Sequence, residues 1–244
     1  MRYRMIVIDI DDTLITDDKE VTPGTKSALA AAVERGTIVT LATGRMYASA
    51  RRIAGRLGLN VPIITYQGSL VKNLLDGEVL YERAVPVDTS RFLLGHARER
   101  GYHVQVYCDD TLFCEADNDL VRDYAALSDV PYTVVPDLHA LLDRPFTKVL
   151  FIDQPDVCDR IAEELAPLIG EQVHITKSKP YFLEFLHKEG TKGHAVQYLA
   201  GRFGIRAEEV IAIGDSWNDR EMIELAGLGV AMGNAVDALK AVAD

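Results

Sequence analysis

The stretch IVIDIDDTLI, residues 6–15, combines the pattern of a buried strand with a cluster of charge. Its apolar residues are typical of a strand covered on both faces, yet Asp9, Asp11 and Asp12 place three carboxylates within four consecutive positions. Burying unpaired carboxylates is very costly, so a purely structural strand would not contain them. Residues two apart on a strand share a face, so we expect the Asp9 and Asp11 side chains about 6–7 Å apart, at the strand's carboxyl end.

The residues outside this stretch alternate between helix and strand patterns. After Thr22 and Pro23, which are typical of a helix N-cap and first turn, residues 24–36 have the pattern of a helix that ends at Gly36. Continuous apolar runs follow a predicted helix each time, in TIVTLATGR, PIITYQG, EVIAIGD and LGVAMG. Such runs, separated by helices, predict a parallel sheet that is covered on both faces.

The middle of the chain has a different pattern. Residues 70–83 (LVKNLLDGEVLYER) predict a hairpin around Asp76-Gly77. Residues 102–116 (YHVQVYCDDTLFCEA) alternate between apolar and polar around an Asp109-Asp110 turn, which is typical of antiparallel strands with one wet face.

A parallel sheet interrupted by antiparallel strands indicates two domains, one inserted into the other. We predict the α/β class, with a Rossmann-like parallel-sheet core formed by residues 1–83 and 188–244. Residues 84–187 are predicted to form an inserted α+β cap domain.

The composition excludes several classes of protein. The net charge is −11, from 26 Lys and Arg against 37 Asp and Glu, and an acidic surface repels the phosphate backbone of nucleic acids. The three cysteines lack CxxC spacing, so we expect free thiols and no disulfide framework. The first apolar run is short and interrupted by acids, so we expect no signal peptide, no membrane span and a cytoplasmic location.

A second group of polar residues follows the apolar run EVIAIGD. Asp215 ends this run, and Asn218 and Asp219 come within the next turn. The carboxyl ends of parallel strands meet at one edge of a sheet, where open sheets bind their ligands. Oxygen ligands from two strands would suit Mg²⁺, which would neutralise the clustered acids. Each acid alone is also consistent with capping a turn, and the DxD triplet with a glycosyltransferase, although that class gives residues 214–219 no role.

Two further stretches offer groups that bind phosphate. LATGR, residues 41–45, places the hydroxyl of Thr43 and the amides around Gly44 at the same edge, and amides at a helix start bind anions. Lys192 lies in the first turn of a predicted helix, where the helix dipole disfavours a cation, so we expect an anionic ligand or an acidic neighbour. Taken singly, Thr43 and Gly44 are also typical of an ordinary turn, and Lys192 of an exposed side chain.

Together and in this order, these stretches resemble the haloacid dehalogenase-like phosphohydrolase superfamily. DIDDTL (9–14) matches its first motif, LATGR its second, Lys192 its third and GDSWND (214–219) its fourth. The segment between the second and third motifs is similar to the Cof-like branch with a large α/β cap. This chain has Asp12 where the family often has Gly, and Gln67 where the branch often has Asn. Relatives usually continue beyond LKAVAD, where this sequence ends, so we expect either a shortened C-terminus or a different sheet edge.

The resemblance implies a role for each motif residue. Asp9 would attack phosphorus to form an aspartyl-phosphate, and Asp11 would protonate the leaving oxygen and then act as a base toward water. The implied phosphate ligands are Thr43, Gly44, Lys192 and Asn218. The implied Mg²⁺ ligands are the carboxylates of Asp9 and Asp215 and the main-chain carbonyl of Asp11, with Asp219 holding Lys192 or a metal-bound water. A cation is needed because a carboxylate is a weak nucleophile that repels a phosphate dianion.

The resemblance also implies that the cap excludes water and sets substrate specificity. The candidate contacts are polar or aromatic side chains on the predicted cap strands: His103, Gln105, Tyr107, Lys177, Tyr181 and Glu184. Of these, His103, Gln105 and Tyr107 alternate onto one face of a strand. Each candidate is equally typical of a structural or solvent-facing residue.

The function that these residues favour is a Mg²⁺-dependent phosphatase acting on a small phosphorylated metabolite, such as a sugar phosphate or a phosphorylated cofactor. One alternative is a phosphomutase or phosphotransferase, in which the phosphoryl group passes from Asp9 to a hydroxyl instead of water. Another is a regulatory binding protein without turnover, whose sequence would lack Asp9, Asp11 or Lys192; all three are present. The sequence gives no indication of oligomeric state.

Overall fold

The computed structural model describes residues 2–16 and 18–244. Met1, at the start of the predicted core domain, lies outside these residues. The strands, in chain order, are β1 (Met5–Ile8), β2 (Ile38–Leu41), β3 (Ile63–Thr65), β4 (Leu70–Lys72), β5 (Val79–Glu82), β6 (His103–Cys108), β7 (Thr111–Cys114), β8 (Tyr132–Val134), β9 (Lys148–Ile152), β10 (Val173–Lys179), β11 (Phe182–His187), β12 (Val210–Gly214) and β13 (Leu228–Ala231). The α-helices are α1 (Pro23–Glu34), α2 (Tyr47–Arg56), α3 (Val87–Arg100), α4 (Asp119–Ser128), α5 (Pro155–Ile169), α6 (Lys192–Arg202), α7 (Arg220–Leu225) and α8 (Asp237–Lys240).

The chain divides into two compact units. The first, here called the core unit, comprises Met1–Tyr81 and Thr191–Asp244, and the second, here called the inserted unit, comprises Glu82–Gly190. The segment that the sequence assigned to the insertion, residues 84–187, falls within the inserted unit.

The core unit is built on a parallel sheet with the strand order β13-β12-β1-β2. Met5 in β1 lies opposite Val210 on one side and Ile38 on the other, with all three strands running in the same direction. A single parallel bridge between Ala42 and Ile64 continues this order toward β3. The predicted parallel-sheet α/β core is therefore confirmed.

The apolar runs of the sequence form the interior of the core unit. Val7 of β1 and Ala212 of β12 belong to one buried cluster with Leu199 of α6 and Met222 of α7. Burying one large aliphatic side chain contributes roughly 1.5–3 kcal/mol, so this cluster stabilises the contact between the sheet and its helices. The cluster holds the carboxyl ends of β1 and β12 at a fixed position relative to α6.

The first strand ends where the polar residues of the sequence begin. β1 stops at Ile8, and the N–H of the next residue, Asp9, donates to the carbonyl of Ile213 at 3.0 Å. β12 ends one residue later, at Gly214. Because the two strands are parallel neighbours, Asp9 and the residues that follow β12 emerge side by side at one edge of the sheet.

A small three-stranded sheet completes the core unit. It has the order β3-β4-β5, and β3 pairs antiparallel with β4. Between β4 and β5 the N–H of Asn73 donates to the carbonyl of Glu78, and Gly77 has φ +75°. The turn that the sequence predicted at Asp76-Gly77 therefore lies between these strands.

The inserted unit contains a six-stranded sheet with the order β10-β11-β9-β6-β7-β8. Its neighbouring strands are antiparallel except for the β7–β8 pair. β6 and β7 are joined at Asp109 and Asp110, which have φ +49° and +56°. Two consecutive positive φ angles are typical of the tight turns that join antiparallel strands, and aspartate tolerates this conformation. The predicted antiparallel pair is confirmed.

One face of this second sheet is packed against α3 and α5. Leu94 of α3 and Ile161 of α5 share a buried cluster with Phe151 of β9 and Phe185 of β11. The three cysteines, Cys108, Cys114 and Cys158, are buried free thiols, as the sequence predicted.

Within residues 2–16 and 18–244, every helix is either too short or too polar to cross a lipid bilayer.

Candidate active site

Lys192 lies at the centre of a buried ion-pair network. Its Nζ donates to Oδ1 of Asp9 at 2.6 Å and to Oδ1 of Asp219 at 2.5 Å. The lysine side chain is 0 % exposed, and the side chains of its two partners are 8 % and 0 % exposed. The sequence predicted an anionic ligand or an acidic neighbour for a lysine in the first turn of a helix. Lys192 has two acidic neighbours, Asp9 and Asp219. The alternative of an exposed, solvated lysine is wrong.

Asp219 accepts hydrogen bonds from three donors with its two carboxylate oxygens. While Oδ1 accepts from Lys192, Oδ2 accepts the backbone N–H groups of Asp215 and Ser216 at 2.9 and 3.0 Å. The interpretation of Asp219 as a turn-capping residue is thus correct for one oxygen. Because the cap fixes the carboxylate, the other oxygen is held toward the lysine.

Three carboxylates come together beside Lys192. Asp9, Asp215 and Asp219 each offer an oxygen, and these oxygens lie within 4.8 Å of one another. All three residues are buried, and Lys192 supplies one positive charge against their three negative charges. Clustered carboxylate oxygens with a net negative charge are the donors that Mg²⁺ binds. The residues present therefore fit the predicted ion.

Asp215 is oriented by a threonine that the sequence reasoning missed. The hydroxyl of Thr13 donates to Oδ1 of Asp215 at 2.7 Å, across a separation of 202 residues. Such hydrogen bonds orient metal-ligating carboxylates and are a common feature around metal sites. Thr13 belongs to the quoted DIDDTL motif, but its direction could not be read from the sequence.

Burial shifts the pKa values of the ionised groups at this site. Burial raises the pKa of Asp9, against the opposing effect of Lys192, and the nearby charges of Asp219 and Asp11 raise it further. Burial also raises the pKa of Asp215, although the Thr13 hydrogen bond acts in the opposite direction.

The lysine of this network stays charged. Burial alone would lower the pKa of Lys192, but the carboxylates of Asp219 and Asp9 outweigh burial and raise that pKa. Asp9 still faces the negative charges of Asp219 and Asp11. A second cation at the cluster would relieve the remaining repulsion.

The position of Asp11 differs from the prediction. Because β1 ends at Ile8, residues Ile10–Leu14 form an irregular turn in which Asp12 has φ +62°. The expectation that Asp9 and Asp11 lie two apart on one strand face is therefore wrong. The carboxylate of Asp11 is not part of the oxygen cluster formed by the described acids. A contribution of its main-chain carbonyl to the metal stays a prediction.

Asp11 pairs instead with Arg45, the last residue of LATGR. Arg45 Nε and Nη2 donate to the two carboxylate oxygens of Asp11 at 2.8 and 2.6 Å. The arginine side chain is 11 % exposed, and its Nη1 also donates to Oγ of Ser49 at 3.0 Å. The sequence reasoning gave Arg45 no role, although the excess of acids in residues 9–12 indicated that a cation was needed.

Thr43 and Gly44 lie at the same sheet edge and contact the loop after β3. Thr43 is buried, and its Oγ1 accepts the backbone N–H of Arg45 at 3.1 Å. A Cβ atom at Gly44 would lie 2.4 Å from Nε2 of Gln67, so a larger residue would displace the Gln67 side chain. Gln67 Oε1 in turn accepts from Nδ2 of Asn218 at 2.7 Å. Gln67, which stands where the Cof-like branch often has Asn, therefore connects the second motif to the fourth.

The loop after β3 is packed tightly against the start of α6. Tyr66 and Gln67 both have positive φ angles, +50° and +59°, and Gly68 has φ +108°. A Cβ atom at Gly68 would lie 2.1 Å from the carbonyl oxygen of Thr191. Non-glycine residues in this conformation are strained and are frequent at functional sites. The contact fixes the residue that precedes Lys192.

The candidates of the inserted unit lie in a partly buried polar group. Gln105 and Tyr107 are fully buried on one face of β6, where Gln105 Nε2 donates to the Tyr107 hydroxyl at 2.7 Å. His103 lies 3.4 Å from Oε1 of Gln105 on the same face. Glu184 is buried and lies 3.4 Å from Nζ of Lys148, a buried lysine that the sequence reasoning missed.

The two remaining candidates differ in exposure. Lys177 is partly buried and pairs with the carboxylate of Asp159, whereas Tyr181 is exposed.

Known proteins resemble this chain over almost its whole length. Residues 6–244 match the sequence model of the haloacid dehalogenase-like hydrolases. YxeH of Bacillus subtilis is 33% identical over 96% of this chain and 88% of its own length. The HMP-PP phosphatase of Escherichia coli O6:H1 is 31% identical over 98% of this chain and 87% of its own length. The crystal structure of a haloacid dehalogenase-like hydrolase from Bacteroides thetaiotaomicron has a TM-score of 0.88 and 30% identity, covering 99% of this chain and 92% of that chain.

Proposed function

Because this chain belongs to the haloacid dehalogenase-like hydrolase family, we propose that it hydrolyses small phosphorylated metabolites through a phosphorylated Asp9, with Mg²⁺ as its cofactor. The predicted family and the predicted enzyme class, a phosphatase, are both confirmed at the level of the family and its named relatives. The observation that supports the mechanism is the position of Lys192, bonded to Asp9 and Asp219 beside Asp215. That arrangement supports Asp9 as the nucleophile, because groups that can neutralise charge lie beside it at one sheet edge.

In the first step, the free carboxylate oxygen of Asp9 forms a bond to phosphorus while the bond between phosphorus and the leaving oxygen breaks. The electron pair of that bond goes to the leaving oxygen, which takes a proton from the carboxyl group of Asp11. Lys192 holds the other Asp9 oxygen and neutralises charge beside the reacting phosphoryl group. We assign the hydroxyl of Thr43 and the amide of Gly44 to the phosphoryl oxygens, because both lie at this edge.

In the second step, a water oxygen attacks phosphorus and gives a proton to the Asp11 carboxylate. The bond between phosphorus and Asp9 breaks, and its electron pair returns to the Asp9 carboxylate. Inorganic phosphate leaves, and both aspartates regain their starting states. Buried groups that are already oriented, such as Lys192 and Asp219, require little reorganisation in either step.

The metal would be held by Asp9, Asp215 and Asp219, whose oxygens already lie close together. When bound, Mg²⁺ would reduce the repulsion between the carboxylates and the substrate phosphate. Thr13 keeps one Asp215 oxygen hydrogen-bonded, so the direction of that ligand is set before the ion binds. Asn218 is held by Gln67 through its amide nitrogen, and we place it beside the phosphate as a supporting residue.

The substrate class is small phosphorylated metabolites, such as a sugar phosphate or a phosphorylated cofactor. One relative at 31% identity is named an HMP-PP phosphatase. We propose that polar side chains of the inserted unit contribute to the choice among such compounds. Gln105 and Tyr107 are fully buried and hydrogen-bonded to each other, so they act as support for their partly exposed neighbour His103 and do not meet a substrate themselves.

The proposal is tested by a panel of phosphorylated metabolites, with free phosphate measured in the presence of Mg²⁺ and of a chelator. We expect phosphate release that needs the metal and is abolished by Asp9→Asn. A matched control is Asp12→Asn: Asp12 is exposed, its φ is +62°, and asparagine tolerates that conformation. Phosphate release that survives Asp9→Asn, or that is unchanged by the chelator, would contradict the mechanism. Transfer of the phosphoryl group to a sugar hydroxyl without free phosphate would favour the phosphomutase alternative.

A further inference from the structure

The ion pair between Arg45 and Asp11 goes beyond the roles assigned so far. We propose that Arg45 is a positioning residue that acts on turnover through Asp11 and not by binding the phosphoryl group. The inference rests on the proposed function, since it takes Asp11 as the acid and base of that reaction. The resemblance to the family assigned no role to this arginine.

Arg45 and Asp11 form a bidentate ion pair, here called the clamp. The Arg45 guanidinium reaches both oxygens of Asp11 with parallel N–H donors, at 2.8 and 2.6 Å. Bidentate pairs of this kind fix the plane of the carboxylate as well as its distance. A lysine could neutralise the same charge but could not fix that plane, because its ammonium group is a single point charge.

Arg45 is itself held from three directions. Its Nη1 donates to Ser49, its backbone N–H donates to Thr43 Oγ1, and its carbonyl accepts the N–H of Tyr66 at 3.0 Å. The side chain is nearly buried, while that of Asp11 is 41 % exposed. The arginine is therefore the fixed member of the pair, and the accessible carboxylate takes its direction from it.

The two aspartates of the first motif consequently have separate cations. Lys192 pairs with Asp9, and Arg45 pairs with Asp11. Asp11 is kept out of the oxygen cluster that Asp9 forms with Asp215. A carboxylate that is not drawn into that cluster stays available to exchange a proton with the leaving oxygen or with water.

The clamp also acts on the proton transfers. Asp11 can pass a proton to the leaving oxygen, or take one from water, only if its carboxyl group faces the reacting atoms. Arg45 sets that direction through its two hydrogen bonds to the Asp11 oxygens. The benefit is largest for leaving groups that need a proton, such as an alkoxide, and small for p-nitrophenolate.

The test uses Arg45→Met with two substrates, glycerol 3-phosphate and p-nitrophenyl phosphate. We expect kcat for glycerol 3-phosphate to fall by up to about 100-fold, as misplaced catalytic groups do, with KM little changed. Phosphoenzyme formation from p-nitrophenyl phosphate should fall far less. Arg45→Lys should not restore kcat, and Arg51→Met, a change of an exposed arginine on α2, should behave as wild type.

A double-mutant cycle decides whether Arg45 acts through Asp11. In an Asp11→Asn background, Arg45→Met should cause no further loss. If Arg45→Met does not fold, Ser49→Ala removes one hydrogen bond of the clamp and should give a smaller loss with the same leaving-group dependence.

A rise in KM of equal size for both substrates, or a loss that persists in the Asp11→Asn background, would overturn the inference and assign Arg45 to phosphate binding. Turnover that survives Asp9→Asn but still depends on Arg45 and Asp11 as a pair would contradict the proposed nucleophile and leave this inference standing.

Discussion

Replacing Lys192 with methionine should destabilise the core unit strongly, because it removes the cation from a buried network of acids. Methionine fills much of the same volume, so the main change is the loss of charge and of two hydrogen bonds. Asp9 and Asp219 would each lose a charged partner at 2.6 and 2.5 Å while remaining buried.

The magnitude follows from the burial of the partners. Removing one member of a buried ion pair costs about 3–5 kcal/mol, because the other charge is left uncompensated in a medium of low polarity. For a chain of this length, 1 kcal/mol corresponds to about 2–4 °C in Tm, so Lys192→Met should lower Tm by about 6–20 °C. The measurement is made without divalent ions, since a bound cation would replace part of the missing charge.

The chain contains a natural fluorescent probe for the unfolding assay and an exposed ion pair that serves as a control. Trp217 is the single tryptophan and lies in the core unit, so its fluorescence during urea unfolding reports on that unit. Arg56→Met is the matched control in the same unit: its Nη1 is 3.9 Å from Oε1 of Glu20, but the two side chains are 61 % and 65 % exposed, and exposed pairs contribute little. If Lys192→Met unfolds at the same urea concentration as Arg56→Met, the reasoning about buried charge is refuted.

Three further predictions concern Gly68 and Thr13 of the core unit and His103 of the inserted unit. Gly68→Ala should abolish activity or folding, because the added Cβ would lie 2.1 Å from the backbone carbonyl oxygen of Thr191. The control is Gly36→Ala: Gly36 has a φ of +85° but open space for a Cβ, so this change should lower the free energy of unfolding by only about 1–2 kcal/mol. Equal urea midpoints for the two variants would contradict this prediction. Thr13→Val should weaken Mg²⁺ binding about 10- to 100-fold, because the Asp215 carboxylate loses the hydroxyl that orients it. Mg²⁺ binding is followed by the fluorescence of Trp217. An unchanged Mg²⁺ affinity would show that Thr13 does not act on the metal site. Burial lowers the pKa of His103 below its unfolded value of about 6.5. The neutral imidazole therefore contributes to stability fully above about pH 6.5, and this contribution is lost as the pH falls from that value through the lowered pKa. Over that pH interval, the urea midpoint of His103→Gln should depend less on pH than the urea midpoint of wild type.

The meeting of Asp9 with Asp215 could be predicted because it depends on the sheet alone. Continuous apolar runs indicated parallel strands, and parallel neighbours place their carboxyl ends at one edge. The proximity of Lys192 was predicted more indirectly, from a cation at a helix start that required an acidic neighbour.

The partners of individual side chains could not be predicted, because they depend on turns and on residues far apart in the chain. Asp11 was expected to share a strand face with Asp9, but the strand ends at Ile8 and the following turn directs Asp11 to Arg45. The same limit applies to the bond from Thr13 to Asp215, which joins residues 202 positions apart. Sequence patterns predict which edge a residue occupies, but the turn geometry decides which neighbour its side chain meets.

The most direct test of the central claim is the identification of the phosphorylated residue after an acid quench. Wild type and Asp11→Asn are mixed with p-nitrophenyl phosphate and Mg²⁺, quenched, digested and analysed by mass spectrometry. The account predicts one phosphoryl group on the peptide that contains Asp9, in larger amount in Asp11→Asn, where hydrolysis of the intermediate is slowed, and none in Asp9→Asn. Turnover without any label on that peptide, or with the label on another residue, would contradict it.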